Sequence, residues 1–436
     1  DALFLAAFLI LIVSPAALFD VSFQLSFLSV LAILYLIPRF TDYFSPLKNW
    51  PLKSWVEEQP RWRMKLLIYL GASLLTSTAA ILGTGPLVGY YFNRVSLVGF
   101  FSNLLLVPLM GFVNTLLSLL TTFLVFVSLP LAKILTALNV WLLDISLLLV
   151  DYFSRIPFAS RRVNTPTFPE LFLLYGILIF AANLKRWKIA LHGLIGLVAI
   201  FVSLQIYGYY AVSRGNELSV TFLDVGQGDA AVVRFPRGKV MVLDGGGSPD
   251  GSFDPGERIV APYLWKIKKQ DIDYLVNTHS HPDHLQGLLF LLENFKVGEV
   301  WNNGEIGEGD PLAERFLGAA GGRLQKMGQG KGPLVISGVK VEFLHPPLGR
   351  KEGPTFWGNN ASLVLRLTFG EVSFLFCGDI EAAAEEEINR TNPTLLSTVI
   401  KVPHHGSKTS STPELIESVR PKFAVFTVRA GGRNRL

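Results

Sequence analysis

Long apolar runs fill the first half of the chain. Eight stretches are candidate membrane spans: 2–13, 21–38, 64–83, 86–107, 110–130, 131–153, 170–184 and 188–211. A span needs about 20 mostly apolar residues, so the first stretch is short. The fourth is interrupted by Asn93 and Arg94 and is alternatively re-entrant. A soluble helical domain is disfavoured, because so many apolar runs in succession leave little polar surface. We therefore expect a polytopic α-helical membrane bundle of seven or eight spans over residues 1–214.

The pattern changes after Val212 to short alternating or apolar segments separated by turns. Strands are predicted at 218–224, 230–235, 239–244, 274–278, 340–344, 361–368, 371–377, 398–402 and 425–428, and helices at 256–269, 285–295 and 380–389. Hairpins and crossovers are mixed in this order. Such a mixture predicts two sheets covered by helices, over residues 215–436.

Composition supports the same division. The 436 residues are 50% hydrophobic and 17% charged, against about 25% charged in soluble domains. Residues 1–214 carry 23 of the Asp, Glu, Lys and Arg residues, and residues 215–436 carry 50. The net charge is +7 in the first part and −2 in the second. The basic excess therefore belongs to the membrane flanks, and it excludes a chain-wide nucleic-acid-binding face.

The basic loops favour one membrane topology by the positive-inside rule. Loop 39–65 is the most basic, and loops 154–169 and 184–188 each carry three Lys or Arg. The last two loops flank one short span and cannot both be cytoplasmic. With Lys185–Lys188 inside, the second domain lies outside the cytoplasm, and an altered span count would reverse this result.

Polar residues within the spans are costly and commonly face a cavity or a partner helix. Gln24 and Asn103 are the channel candidates, beside further polar positions at Asn114, Asn139, Asp144 and Gln205. Interhelical hydrogen bonding is the alternative for each.

The chain opens on Asp1 without a basic leader and stops shortly after a predicted strand, at a Gly431-Gly432 loop. We expect a fragment that lacks an upstream module and a short C-terminal portion.

The segment His279-Ser280-His281-Pro282-Asp283-His284 places three imidazoles and a carboxylate in one loop after a buried strand. These ligands suit zinc, manganese and iron. One tight loop can face two metal positions, with His279 and His281 toward one, and Asp283 and His284 toward the other. Two such metals clamp the attacking and leaving oxygens of a phosphoester. The alternative is a solvated His-rich loop.

Further candidates follow other predicted strands. Asp379 is a possible bridging ligand or a helix N-cap. One of His404 and His405 is expected to be a ligand, and the other an acid or a substrate contact. Asp244 is suited to hold a ligand imidazole through its free N–H. His345 is a candidate third ligand or a turn residue. Nearby basic residues offer a local patch for a phosphate backbone or are plain surface charge: Lys401, Lys408, Arg429, Arg433 and Arg435.

Together these residues resemble the metallo-β-lactamase superfamily, whose fold is an αββα sandwich with one or two metals. The resemblance covers about 218–436. It implies that His279 and His281 bind the first metal, Asp283, His284 and His404 bind the second, and Asp379 bridges, with two divalent ions of zinc or manganese. The sequence departs from the superfamily at the third ligand of the first metal, where 356–362 carries no histidine. His345 or an Asn would then substitute, or that metal is weakly held.

Other segments resemble the ComEC-type competence DNA-uptake channels: 223–229, 359–365 and 402–407 in the second half, and 23–27 and 103–108 in the first. This resemblance implies a multi-pass protein of the bacterial cytoplasmic membrane that moves single-stranded DNA inward. It implies a metal-dependent phosphodiesterase that degrades the other strand, with Asp283 and His405 in catalytic roles. Implied partners are DNA, membrane lipid and other competence proteins, and an oligomer is compatible. The alternatives are a membrane-anchored hydrolase of another phosphoester, and a channel with an inactive metal domain.

Overall fold

The computed structural model describes residues 2–44, 61–248, 251–305, 310–349 and 357–429. Contacts between residues divide the chain into two compact units, Asp1–Gln205 and Ile206–Leu436. The division falls within the last helix of the apolar half.

Seven apolar helices lie in the described part of the first 214 residues. They are α1 (Ala2–Val13), α2 (Val21–Phe44), α3 (Arg61–Phe92), α4 (Gly99–Leu124), α5 (Leu129–Ser154), α6 (Phe168–Ala182) and α7 (Ala190–Arg214). Within the described residues, α2, α3, α4, α5 and α7 are long and apolar enough to cross a membrane, whereas α1 and α6 are shorter. Many of their large apolar side chains are exposed, as lipid-facing residues are. The first unit is therefore a multi-pass membrane region.

Helix boundaries correct part of the sequence prediction. The predicted spans 64–83, 86–107 and 110–130 are two helices, α3 and α4. Pro86 lies inside α3 without ending it, as membrane helices permit. The helix ends just before Asn93, at the interruption seen in the sequence; the φ of Asn93 is 51° and its side-chain amide donates to Thr165 Oγ1 at 2.7 Å. Strand β1 (Arg94–Ser96) then pairs with β2 (Ser160–Arg162). Loop 39–65 lies mostly outside the described residues.

Gln24 connects two membrane helices. Its Oε1 accepts a 2.9 Å hydrogen bond from the Tyr91 hydroxyl of α3, and its Nε2 donates to Leu18 O. Asn103 is half-buried on α4. The channel roles predicted for both residues stay predictions.

Two six-stranded mixed sheets form the second unit. The first has the order β3-β4-β5-β6-β7-β8, formed by Ser219–Phe222, Ala231–Arg234, Val240–Leu243, Asp271–Val276, Lys296–Asn302 and Leu324–Lys326. The second has the order β14-β13-β12-β11-β10-β9. In chain order its strands β9 to β14 are Leu334–Ile336, Val339–His345, Val364–Phe369, Val372–Phe376, Val399–Lys401 and Phe423–Val425. Each sheet is mixed. The pairs β4–β5 and β11–β12 are antiparallel, whereas β5, β6 and β7 are parallel to one another, as are β12, β13 and β14.

Helices cover the outer face of each sheet. Against the first pack a wide turn at Gly256–Val260 continuing into α8 (Ala261–Lys266), then α9 (Pro282–Asn294) and α10 (Pro311–Ala320). Against the second pack α11 (Ala382–Thr391) and α12 (Pro413–Val419). The inner faces share a core that includes Met241, Trp301, Phe343 and Leu365, and fully burying such side chains contributes roughly 1.5–3 kcal/mol each. The predicted αββα sandwich is confirmed.

Candidate metal centre

Four loops at the carboxyl ends of strands converge at one edge of the sandwich. Asp244 follows β5 and the segment His279–His284 follows its parallel neighbour β6. Asp379 follows β12 and His405 follows its parallel neighbour β13. Parallel strands deliver their carboxyl ends to the same edge of a sheet, which is where α/β folds build their sites. The two sheets therefore each supply two loops to one place.

Asp244 contacts Nδ1 of His284, the ring nitrogen that faces away from the site. Its Oδ2 is 2.8 Å from His284 Nδ1 and accepts from Thr278 Oγ1 at 2.7 Å, while its Oδ1 accepts from Thr278 N at 2.8 Å. Both Asp244 and His284 are buried. With Nδ1 donating to the carboxylate, the lone pair of His284 Nε2 is directed into the site, as in carboxylate–histidine–metal arrangements.

Glycine lets helix α9 approach the loop after β5. Gly245 N donates to His284 O at 2.8 Å, and a Cβ at position 245 would lie 2.5 Å from Leu288 N. The helix starts at Pro282, a favoured first position, so Asp283 sits in its first turn near the positive end of the helix dipole. Gly245 therefore allows the close packing that positions His284.

Asp283, His284, Asp379 and His405 form a compact group of ligating atoms, all within 4.8 Å of one another. Asp379 Oδ2 lies 3.2 Å from both His284 Nε2 and His405 Nε2. The geometry of these approaches makes no hydrogen bond: the two Nε2 atoms and Asp379 Oδ1 have no hydrogen-bond partner among the described residues. Buried nitrogen and carboxylate atoms that converge without bonding one another fit a divalent cation such as zinc or manganese.

The structure brings His405, and not the predicted His404, into this group. Both residues have left-handed backbone, with φ values of 46° and 55°, a conformation that non-glycine residues adopt at a cost and often at functional sites. The turn after Pro403 points the two rings to different partners. His404 Nδ1 lies 3.2 Å from Glu381 Oε1. Of the two histidines, His405 is the one whose ring nitrogen lies with the other candidate ligands, and the roles of both stay predictions.

The residues expected at the first metal are only partly assembled. His279 is buried, and its Nε2 has no hydrogen-bond partner within the described ranges. The ring of His281 lies 4.6 Å from that of His279, at the surface. His345 is engaged elsewhere, because its Nε2 lies 2.7 Å from Asn360 O. Asn359 Oδ1 is a buried atom that lacks a partner in the described part of the chain. The choice between His345 and an Asn as the third ligand stays a prediction.

Asp379 is not a helix cap. Helix α11 begins at Ala382 and has Glu381 in the cap position. Asp379 N donates to Ser362 Oγ at 3.1 Å, in the turn before β11. Its carboxylate is left to the cluster, as a bridging ligand requires.

Asp229 is a neighbour of the site that the sequence analysis did not single out, and Lys401, which it expected at the surface, is the partner of Asp229. Their side chains form a buried ion pair, and Lys401 Nζ is also 3.8 Å from Asp379 Oδ1. Asp229 Oδ1 accepts from Thr427 and lies 3.3 Å from His405 Nδ1. Lys401 is 3% exposed, so the suggestion that it joins a DNA-binding patch is wrong. In the sequence, the position of Lys401 at the end of an apolar strand was the available sign that it is buried and paired.

Gly228 sets the position of Asp229. Its φ is 124°, and a Cβ there would lie 2.3 Å from Asp283 O. Asp229 N donates to the same oxygen at 3.2 Å. The Gly226-Gln227-Gly228-Asp229 turn therefore packs directly on the metal loop.

The charges of the cluster shift its pKa values. Burial alone lowers the pKa of His405, but contacts with Asp229, Asp283 and Asp379 raise it to about 10. Burial alone raises the pKa of Asp283, but His405 and the charge of His284 bring it down to about 2. Burial alone also raises the pKa of Asp229, but the charge of Lys401 outweighs this effect, and the pKa of Asp229 is lowered. Without metal, imidazolium rings balance the carboxylates.

Two families of known proteins match the chain. Residues 1–188 match the sequence model described as competence protein, and residues 223–426 match the metallo-beta-lactamase superfamily. The chain joins a competence-protein region to a metallo-beta-lactamase domain. The match confirms the resemblance stated from the motifs.

Relatives of this two-part kind match over most of the chain. ComE operon protein 3 of Bacillus subtilis is 28% identical, over 100% of this chain and 54% of that protein. The uncharacterized protein YcaI of Escherichia coli is 28% identical, over 95% and 49% respectively. The competence protein ComA of Neisseria gonorrhoeae is 29% identical, over 78% and 44%. This competence-protein and metallo-beta-lactamase chain thus spans about half the length of the curated relatives it matches.

Proposed function

We propose that the chain serves DNA uptake in natural transformation. Its membrane region passes a single strand across the bacterial cytoplasmic membrane. Its metallo-beta-lactamase domain, on the outer side, hydrolyses phosphodiester bonds of the strand that is not imported. The observation that carries the proposal is the convergence of Asp283, His284, Asp379 and His405 in a chain whose other half matches competence proteins.

The donor set supports a metal-dependent phosphodiesterase. Asp283, His284, Asp379 and His405 would hold one divalent ion, and His279 and His281, with Asp379 shared, would hold the other. Bound there, zinc or manganese would activate water and neutralise charge on the transferring phosphoryl group. Asp244 fixes His284 for this purpose, and the buried ammonium of Lys401 offsets part of the carboxylate charge.

The membrane region supports transport beyond anchoring. An anchor needs one span, whereas five described helices are long and apolar enough to cross a membrane. The Gln24–Tyr91 hydrogen bond and a further contact between Gln205 and the buried Glu170 place polar groups within the apolar unit. Such groups fit either helix association or a polar path.

A test in cells separates the two activities. Competent cells in which Asp283→Ala replaces the natural residue receive duplex DNA with one strand labelled at a time. We expect the strand that is not imported to remain undegraded. Asp271→Asn, which alters an exposed carboxylate on β6, is the matched control and should degrade that strand normally. Unchanged uptake together with unchanged strand degradation in the Asp283 variant would reject the proposed nuclease.

A further inference from the structure

Three arginines lie on the short ribbon that β1 and β2 form in the membrane region. Arg94 pairs directly with Arg162 across the two strands, and Arg161 is the next residue along β2. Arg94 and Arg161 are exposed, whereas Arg162 is half-buried. Like charges placed directly opposite each other destabilise a strand pair, so a bound anion would offset a cost that the ribbon carries.

The two connections that form the ribbon are strongly basic. Residues 93–98 and 155–169 together contain four Arg and neither Asp nor Glu. Arg155 pairs with Asp151 at the end of α5. The net charge of this face is therefore positive, and the exposed arginines of the ribbon present it to solvent.

An aromatic ring lies beside one of the exposed arginines. The guanidinium carbon of Arg161 is 4.8 Å from the centroid of the Phe158 ring, and Phe158 is 66% exposed. The φ of Phe158 is 65°, a conformation that bulky residues rarely adopt and that is frequent at functional sites. Proteins that bind single-stranded nucleic acid combine basic side chains, which contact the backbone, with aromatic rings on which bases stack.

The ribbon is ordered by its own hydrogen bonds. Leu97 N donates to Ala159 O at 2.8 Å at one end, and Val163 N donates to Asn93 O at 3.0 Å at the other. The side-chain amide of Asn93 also donates to Val163 O at 3.2 Å. The arginines and the aromatic ring are therefore presented on a preformed surface, which lowers the entropic cost of binding a ligand.

The ribbon lies at the end of the membrane region where α7 ends. Helices α6 and α7 run antiparallel: Gln205 of α7 contacts Glu170 in the first turn of α6, and Gly193 of α7 faces Phe180 near the end of α6. The proposed function places this end on the outer side of the membrane. Because Lys and Arg are in excess in cytoplasmic loops, arginines on the outer side need another reason, and a phosphate ligand supplies one.

We propose that the β1–β2 ribbon binds single-stranded DNA at the outer face of the membrane region. Arg94 and Arg161 contact phosphates, a base stacks on Phe158, and Arg162 adds positive charge. The inference rests on the proposed function and gives the membrane region a surface that meets the incoming strand. A lipid headgroup offers the same phosphate but no base, so the exposed ring beside Arg161 favours the nucleic acid.

Binding of a fluorescent oligothymidylate to the full 436-residue chain tests this site. The protein is held in nanodiscs of zwitterionic lipid, and divalent metals are removed so that the strand is not cut. The first variant is Arg94→Gln with Arg161→Gln, which leaves the half-buried arginine in place. The matched control is Lys133→Gln with Lys188→Gln, which removes the same charge from exposed positions toward the opposite end of the helices.

We expect the double arginine variant to bind the oligonucleotide roughly 10–30-fold more weakly at 0.1 M salt. The slope of log affinity against log salt should become shallower by about 1.4, since each phosphate contact to a single strand contributes about 0.7. The double lysine variant should match the unaltered chain in both quantities, because its charges lie away from the ribbon.

A second variant, Phe158→Ala, tests the stacking. We expect it to weaken binding of the oligothymidylate by roughly 5–150-fold. An abasic strand of the same length offers no base to stack, so it should bind this variant and the unaltered chain alike. Equal weakening for both strands would overturn the stacking role of Phe158.

Two results would overturn the site itself. One is an affinity and a salt slope that the double arginine variant shares with the unaltered chain. The other is unchanged oligonucleotide affinity with a loss of bound phosphatidylglycerol, counted by native mass spectrometry in nanodiscs that contain it, because the ribbon would then bind lipid. An unaltered chain that does not bind the oligonucleotide would instead reject the proposed function, and that result is seen without any substitution.

Discussion

His404 and His405 are adjacent in sequence, but their imidazoles contact different carboxylates. His405 Nε2 lies 3.2 Å from Asp379 Oδ2 within the buried cluster, and His404 Nδ1 lies 3.2 Å from Glu381 Oε1 at its rim. Two consecutive left-handed residues produce this divergence. It places one imidazole of the dipeptide among the candidate ligands and the other at the rim of the cluster.

Metal affinity should distinguish the two histidines. We expect His405→Asn to weaken binding of manganese or zinc by more than about 100-fold, since losing a ligand should exceed the 10–100-fold cost of losing a ligand's supporting partner. His404→Asn should leave the affinity within a few-fold. Isothermal titration of the metal-free chain measures both. Equal weakening by the two substitutions would contradict the assignment of His405 to the cluster.

Asp244 should act on the metal only through His284. Asp244→Asn keeps the side-chain size but removes the carboxylate that accepts from His284 Nδ1, so we expect metal affinity to fall by roughly 10–100-fold. The exposed carboxylate of Asp271 provides the matched Asp271→Asn control. If both variants titrate like the unaltered chain, the support of His284 by Asp244 is irrelevant to metal binding.

Protons should compete with metal at the cluster. The pKa of His405 is raised from 6.5 to about 10, so its ring is protonated in the metal-free chain at neutral pH and must lose that proton to bind metal. Because the folded-state pKa is the higher one, this group stabilises the metal-free fold fully below about pH 6.5, and that contribution is lost as pH rises through about 10.

We therefore expect metal affinity to increase from pH 7 to about pH 10, with protons released on binding. Titration calorimetry in two buffers of different ionisation enthalpy counts those protons. An affinity that does not change with pH, with no proton release, would contradict the charge balance described for the cluster.

The buried pair of Lys401 and Asp229 should matter for stability. Lys401→Met leaves a buried carboxylate without its cation, which we expect to lower the free energy of unfolding by about 3–5 kcal/mol. Adding Asp229→Asn should restore part of the loss, and Lys408→Met, at an exposed position, should cost little. Thermal unfolding of the four proteins is the measurement. No recovery in the double variant would show that the pair is not what the substitution disrupts.

The fold class and much of the site are predictable because their signals are local. Apolar runs define the membrane helices, and the His279–His284 motif lies in six consecutive residues. The interruption at Asn93 was visible in the sequence, but the separate spans 64–83 and 86–107 were not correct, because one helix continues through Pro86 to Phe92 and proline is tolerated inside membrane helices. The short elements between 296 and 336 gave no clear periodicity, although Trp301 on β7 is central to the core.

The remaining site contacts depend on tertiary geometry. Asp229 meets Thr427 across 198 positions of sequence, and no spacing rule predicts such a contact. His404 and His405 have the same side chain in neighbouring positions, so only the backbone conformation of the turn tells them apart. His345 ends a strand as the motif residues do, but it contacts a backbone carbonyl of the 357–362 segment.

The central claim is that the cluster at Asp283, His284, Asp379 and His405 cuts DNA when it holds a divalent cation. The most direct measurement is a titration of manganese or zinc into the metal-free 436-residue chain, with bound metal and cleavage of single-stranded DNA followed in the same samples. We predict that cleavage rises in step with occupancy, and that Asp379→Asn reduces both. Full metal occupancy of the unaltered chain without any cleavage of DNA would contradict the account.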